Sequence, residues 1–312
     1  MQRIAIIDIG SNSARLVISH IYKNGAYNMV YNQKEALRLS QKVDEKNMLT
    51  EVAFSSTIET MKSFAYMCKI YQADKTIAVA TAAIRNAANG AELVARVAEE
   101  TGIQLHIISG NTEAYISYLG VINTLNVKDG IIFDLGGGST ELILFKNRNV
   151  MPANVFSDVS FFIMSRLEKY PWLKQNGLPL IGVGGTARTV AKIIQREKKY
   201  PATKIHNYSY TAQTYRSFFN RLRNTNLDQR KKISGLSSER SDIILAGSSI
   251  ISCLLEATGA KKLITSGCGL REGLFFDYYS KENHVPIIAK DILKMSRENV
   301  LNLYEPDQQH SR

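Results

Sequence analysis

The chain has 312 residues but only three cysteines, Cys68, Cys253 and Cys268, and five histidines, all widely separated. That scarcity excludes a disulfide framework and a zinc site built on Cys/His spacing, and it fits a reducing, cytoplasmic compartment. Cys268 also lacks the surroundings of a phosphatase nucleophile. Such cysteines need an arginine six residues later, and Leu274 stands there. No apolar run approaches the roughly 20 residues of a membrane span, and Asp8 interrupts the early apolar stretch, which argues against a secretory signal. There is no GxxxxGK[ST] phosphate loop, zinc finger, RNA-recognition pattern or basic zipper. Six prolines and no low-complexity segment leave no evident flexible linker.

What is present is a globular composition, 45% hydrophobic and 21% charged, long enough for two domains. The formal net charge is +11, which attracts polyanions: nucleic acid, acidic membrane or a polyphosphate-like substrate. The basic residues lack the interleaved aromatics of a stacking surface, so neither a specific nucleic acid nor a membrane is the expected partner.

The chain also repeats itself. Residues 6–18 read IIDIGSNSARLVI and residues 131–144 read IIFDLGGGSTELIL. Aligned on Asp8 and Asp134, Gly10 falls on Gly136, Ser13 on Ser139 and Leu16 on Leu142. Each copy reads as strand, tight turn, strand. Glycine tolerates positive φ and close backbone approach, and a turn rich in N–H donors makes a nest for an anion. One such loop is an ordinary β-turn; two predict a pair of phosphate-cradling loops in duplicated half-domains.

Hydrophobic periodicity gives βββαβαβα over residues 1–124. The pattern restarts at GIIFDLG, with 155–170 running into a helix and a helical insertion at about 200–258. The predicted division is 1–124 and 125–286. A C-terminal helix at about 287–312 is expected to pack back on the first domain.

Seven segments carry a resemblance: DIGSNSARL (8–16), ATAAIRNAANG (80–90), SGNTEAYISYLGV (109–121), DLGGGSTEL (134–142), GVGGTAR (182–188), ERSDIILAG (239–247) and SGCGLREG (266–273). In order and spacing the chain resembles the exopolyphosphatase/guanosine pentaphosphate phosphohydrolase family of the actin, sugar-kinase and Hsp70 superfamily. The resemblance implies an α/β fold of two actin-like, ribonuclease H-like domains with a cleft between them. It also implies Mg²⁺ or Mn²⁺ as cofactor and removal of terminal phosphates from a phosphoanhydride chain. Longer members carry an HD-type helical domain; this chain ends at Arg312 without a His-Asp dipeptide, as expected of a short form.

Water attack on a terminal phosphate needs a base, a divalent cation and donors for the non-bridging oxygens. Glu113, in the first turn of a helix, reads either as an acid favoured by the helix dipole or as catalytic; the matching motif implies the general base. Glu141 stands where the first copy has Arg15, so equivalent strands are expected to project opposite charges. The alternatives for Glu141 are a surface salt bridge or a metal-holding and base-assisting carboxylate, and the second is favoured. Asp8 and Asp134 end buried apolar runs, where a carboxylate is costly unless bonded or metal-bound; both are candidate metal residues, with an Asx-turn brace as the alternative. Ser11, Asn12 and Ser13 form one phosphate cradle, and Gly136, Gly137, Gly138, Ser139 and Thr140 the other. Arg85 is a candidate phosphate clamp opening a loop, with Asn86 and Asn89 as helpers; Arg38 is a weaker one. Gly184, Gly185 and Thr186 form a third glycine turn, for chain phosphates, a guanosine nucleotide or a helix cap. The basic stretch from Arg196 to Lys232 reads equally as solvated helix faces or as a polyanion track.

The expected activity is Mg²⁺-assisted exopolyphosphatase action with Glu113 as base, on inorganic polyphosphate. Guanosine pentaphosphate 5′-phosphohydrolase is the nearest alternative. A kinase of the same superfamily and a binding regulator without turnover are the others. A homodimer is a further expectation.

Overall fold

The computed structural model describes residues 1–158, 167, 170–174 and 177–304. The expected helix within 155–170 lies largely outside them. The chain forms two compact units. One comprises Met1–Ser109, Ile122–Asn126 and the chain from Leu270, and the other Gly110–Val121 and Val127–Gly269.

The first unit holds a five-stranded sheet in the order β3-β2-β1-β4-β5. Its strands are β1 (Gln2–Ile9), β2 (Ser13–Ile21), β3 (Tyr27–Ala36), β4 (Lys75–Ala80) and β5 (Leu105–Ile107). β1–β2 and β2–β3 are antiparallel, and β1–β4 and β4–β5 parallel. β1 is central, and its run Ile4–Ile7 is buried throughout, as a strand covered on both faces requires. β3 is the edge and alternates half-buried with exposed residues over much of its length. Helices α1 (Glu51–Ile70), α2 (Ala82–Asn86) and α3 (Gly90–Thr101) follow the predicted βββαβα order, with α2 as an added single turn. Thr50 caps α1 by accepting from the Ala53 N–H. Phe54, Met61 and Phe64 of α1 join Ile7, Leu16 and Ala78 in one core.

The second unit holds β6 (Gly130–Leu135), β7 (Thr140–Lys146), β8 (Asn149–Asp158), β9 (Leu180–Val183), β10 (Tyr208–Thr211) and β11 (Lys262–Thr265). Their order is β10-β11-β9-β6-β7-β8. β6–β7 and β7–β8 are antiparallel, and β6–β9 and β9–β11 parallel. Set beside the first sheet, β8-β7-β6-β9-β11 repeats β3-β2-β1-β4-β5 strand for strand. The sequence repeat is therefore a repeat of topology, with β10 added at one edge. Helix α4 (Gly110–Ile122) lies almost wholly in this unit, which also holds α5 (Gly184–Glu197), α6 (Ala212–Leu222), α7 (Leu227–Lys231) and α8 (Ile244–Thr258). The stretch 200–258 is thus not purely helical. Tyr208 and Tyr210 pair β10 with β11, because alternate tyrosines suit a strand whose inner face joins the core.

Helices α9 (Leu270–Asn283) and α10 (Ile292–Tyr304) complete the first unit. Asn299 grips the backbone of Tyr27 through both amide atoms, accepting from its N–H at 2.8 Å and donating to its carbonyl at 3.1 Å. Asn123 holds Ala289 N–H and Ile287 carbonyl in the same manner.

Candidate active site

The two repeated hairpins turn identically. Gly10 N–H donates to Ser13 carbonyl at 3.1 Å, and Gly136 N–H donates to Ser139 carbonyl at 3.0 Å. Neither glycine adopts the positive φ that the sequence suggested. Their requirement is space: a Cβ at Gly136 would stand 3.2 Å from Ser139 O, and one at Gly10 3.5 Å from Ser13 O.

Antiparallel register places Asp134 opposite Glu141 and Asp8 opposite Arg15. Directly opposed residues point to the same face of a sheet, so the second hairpin presents two carboxylates side by side and the first presents one carboxylate and one guanidinium. Glu141 is 1% exposed, far from the solvated salt bridge that was the alternative. A buried carboxylate of this kind needs hydrogen bonds or a cation.

Helix α4 supplies the neighbouring groups in the second unit. Ser117 Oγ donates to Asp134 Oδ2 at 2.7 Å. Glu113 precedes Ser117 by one turn, which puts the two on one helix face with Cβ atoms about 6 Å apart. Glu113 is buried. Two glycines crowd the same carboxylate: a Cβ at Gly184 would stand 3.2 Å from Asp134 Oδ1, and one at Gly269 3.9 Å from Oδ2. At Gly184 glycine is needed twice over. Its φ is +90°, and a Cβ would meet Leu135 O at 2.4 Å. Among the described residues no three His, Cys, Asp or Glu side chains converge on one point. Two carboxylates at most, with the remaining positions left to water and phosphate oxygens, is a donor set that suits Mg²⁺.

Gly184 opens α5 with no side-chain cap at Val183, so its first N–H groups are available in the way anion sites use them. Arg240 lies over this turn: its guanidinium atoms come within 2.0–2.5 Å of where a Gly185 Cβ would be. Burial, and then the positive charge of Arg188, lower the Arg240 pKa. Arg188 donates to Gly267 carbonyl at 3.2 Å. Thr186, expected to touch phosphate, is 6% exposed and packs against Gly247 of α8.

In the first unit the loop Ser11–Ser13 is fastened from behind. Asn12 carbonyl accepts from Leu37 and Arg38 N–H at 3.1 and 3.0 Å, and Ser11 carbonyl from Ser40 N–H at 3.2 Å. In a trans peptide the N–H opposes the C=O, so Asn12 and Ser13 N–H groups point away from that support. Arg38 holds a left-handed conformation, φ 49°. Asp8 Oδ2 lies 3.8 Å from Arg271 Nη1, with the two side chains 19% and 11% exposed. Arg85 sits in the short helix α2 rather than in a loop, and its Nη1 donates to Ile108 carbonyl at 3.0 Å. Asn89 is no helper: its amide is committed at both ends to Leu49, at 2.8 and 2.9 Å.

The reading from sequence missed Ser117, Arg240, Gly269 and Arg271. All four lie inside the quoted segments, and Ser117 was open to inference as the residue one turn after Glu113.

The repeated sheet order and the hairpin loops define the class: an α/β protein of two actin-like domains whose second unit carries a carboxylate pair beside glycine-rich loops. A family model for the Ppx/GppA phosphatase family matches residues 17–157 and 154–282, and the chain belongs to that family. A bifunctional 3-dehydroquinate synthase/phosphatase of Fusobacterium nucleatum is 30% identical over 84% of this chain. The chain spans 44% of that relative's length. A Haemophilus influenzae protein named "Putative exopolyphosphatase" is 25% identical, over 88% of this chain and 91% of its own. The crystal structure of the Aquifex aeolicus member of the Ppx/GppA family is 30% identical, with a TM-score of 0.77, covering 91% of this chain and 99% of that one. Among the described residues no helix is long and apolar enough to cross a membrane.

Proposed function

We propose that the protein is a cytoplasmic exopolyphosphatase that releases orthophosphate from the end of inorganic polyphosphate. The observation that carries this reading is the buried Glu141 in register with Asp134, beside the α4 face that bears Ser117 and Glu113. Asp134 and Glu141 are the residues to hold Mg²⁺, or Mn²⁺, which when bound supplies charge neutralisation to the phosphoryl oxygens. Asp8, placed against Arg271, is a weaker candidate for that role. Ser117 fixes the Asp134 carboxylate by its hydrogen bond.

Glu113 accepts a proton from the attacking water, as a buried carboxylate near other acids is suited to do. N–H and hydroxyl donors of Gly136–Thr140, with the N–H groups of Gly184–Thr186 and the guanidinium of Arg240, bind non-bridging oxygens. Within the first unit, the N–H groups of Asn12 and Ser13 and the guanidinium of Arg85 are the donors suited to phosphate oxygens. Proton transfer from water to Glu113 accompanies attack on the terminal phosphorus, and the P–O bond to the rest of the chain breaks.

The test is orthophosphate release with Mg²⁺ from long-chain polyphosphate and from guanosine pentaphosphate, side by side, with Glu113→Gln as control. The proposal expects fast release from the polymer and a loss of about 10²–10⁴-fold in the variant. Release from the nucleotide alone would assign the pentaphosphate reaction instead. Binding without turnover would make the protein a regulator.

A further inference from the structure

The positive charge of this protein is concentrated in one place. From Lys192 to Lys232 there are eleven Lys and Arg residues against Glu197 and Asp228, so this stretch carries nine of the eleven net charges. All but Arg230 of the eleven are exposed.

Three helix ends of the second unit bring them to one corner. Glu197, last in α5, accepts from Arg221 of α6 at 2.5 Å, and Lys198 Nζ reaches Thr214 Oγ1 at the start of α6 at 3.4 Å. Arg196 donates to Ser234 Oγ at 3.1 Å, which draws in the loop that follows α7. Both acidic residues of the stretch are taken up internally, Glu197 by Arg221 and Asp228 by Lys231. Among the described residues no ion pair takes up Lys199, Lys204, Arg223 or Lys232. Such a surface costs self-repulsion, and a solubility role would be better met by dispersed charge.

We propose that this corner is a second polyphosphate-binding surface, holding the body of a long chain whose end reacts at the Asp134–Glu141 hairpin. The inference rests on the exopolyphosphatase reading for the identity of the polymer. Helix α5 joins the two places, with Gly184 against Asp134 at one end and Glu197 at the other, and its 14 residues span about 20 Å. A substrate shorter than that cannot touch both. The occupant is a bare phosphate chain rather than nucleic acid, because α6 turns Gln213, Arg216 and Asn220 outward and Arg223 follows it, exposed, without an aromatic platform for bases. Tyr200 is the exposed aromatic of the stretch, and its ring packs on Tyr208 at 5.0 Å.

The test compares the full chain with a Lys199→Gln, Lys204→Gln, Arg223→Gln, Lys232→Gln variant. Affinity for fluorescent long-chain polyphosphate is measured by anisotropy across a salt series, and kcat and KM on tripolyphosphate are measured separately. The expected result is a roughly tenfold or greater loss of affinity for the polymer and a salt slope reduced by about three, with tripolyphosphate kinetics unchanged. Equal affinity and slope in wild type and variant would overturn the proposal. So would single-stranded RNA or phosphatidylserine vesicles bound as tightly as the polymer and released by the same variant. Wild type that holds the polymer through these residues yet releases no orthophosphate would support the corner and overturn the hydrolase reading.

Discussion

The hairpins β1–β2 and β6–β7 share a turn hydrogen bond, a strand register and a place in their sheets, yet they carry different chemistry. Opposite its aspartate the first has Arg15 and the second Glu141. A guanidinium beside a carboxylate is neutral on balance and can direct N–H groups at an anion. Two carboxylates in the same register repel one another until a cation or proton joins them. The two hairpins are thus one backbone device with a different side chain opposite its aspartate in each copy. In our account the second hairpin is the cation and reaction side, and the first binds anion.

Six substitutions test that division and the packing that supports it. The largest effect belongs to Glu141→Gln, which removes a charge and keeps the shape; orthophosphate release should fall about a hundredfold or more, whereas Arg15→Gln should mainly raise KM. Next comes Gly184→Ala, a position with φ +90° and Leu135 O in the way. Thermal or denaturant unfolding should show a loss of about 3 kcal/mol. Ser117→Ala removes a buried hydrogen bond to a charged group, so unfolding should show a loss of about 2 kcal/mol together with a fall in kcat. The smallest effect separates the two turns themselves. Gly136→Ala should cost about 1 kcal/mol more than Gly10→Ala, because its Cβ would press on Ser139 O at 3.2 Å while the other has ordinary contact at 3.5 Å. Equal costs would mean that the two turns are sterically equivalent despite this difference in clearance.

Much of this was legible in the residues. The repeat on Asp8 and Asp134 announced both hairpins, and apolar runs bounded by turn residues located the central strands. The first two helices of the expected βββαβαβα order matched α1 and α3. What escaped was whatever depends on distant residues meeting. Nothing local marks Arg240 as the neighbour of Gly185, some 55 positions away, or Asn89 as the partner of Leu49. The hairpin glycines were read as conformational devices, when their real constraint is the nearness of a carbonyl three residues on. The glycine that does need positive φ, Gly184, was read as a phosphate turn, because its steric partner Leu135 lies in another strand. Ser209–Tyr210 looked like part of a helical insertion, since a four-residue strand is too short to show period-two alternation.

The most direct test of the division between the hairpins is Mn²⁺ binding to the full chain, followed by electron paramagnetic resonance, in wild type, Glu141→Gln and Arg15→Gln. The account predicts that Glu141→Gln loses affinity by about tenfold or more while Arg15→Gln stays close to wild type. Undiminished binding in Glu141→Gln, or an equal loss in both variants, would contradict it.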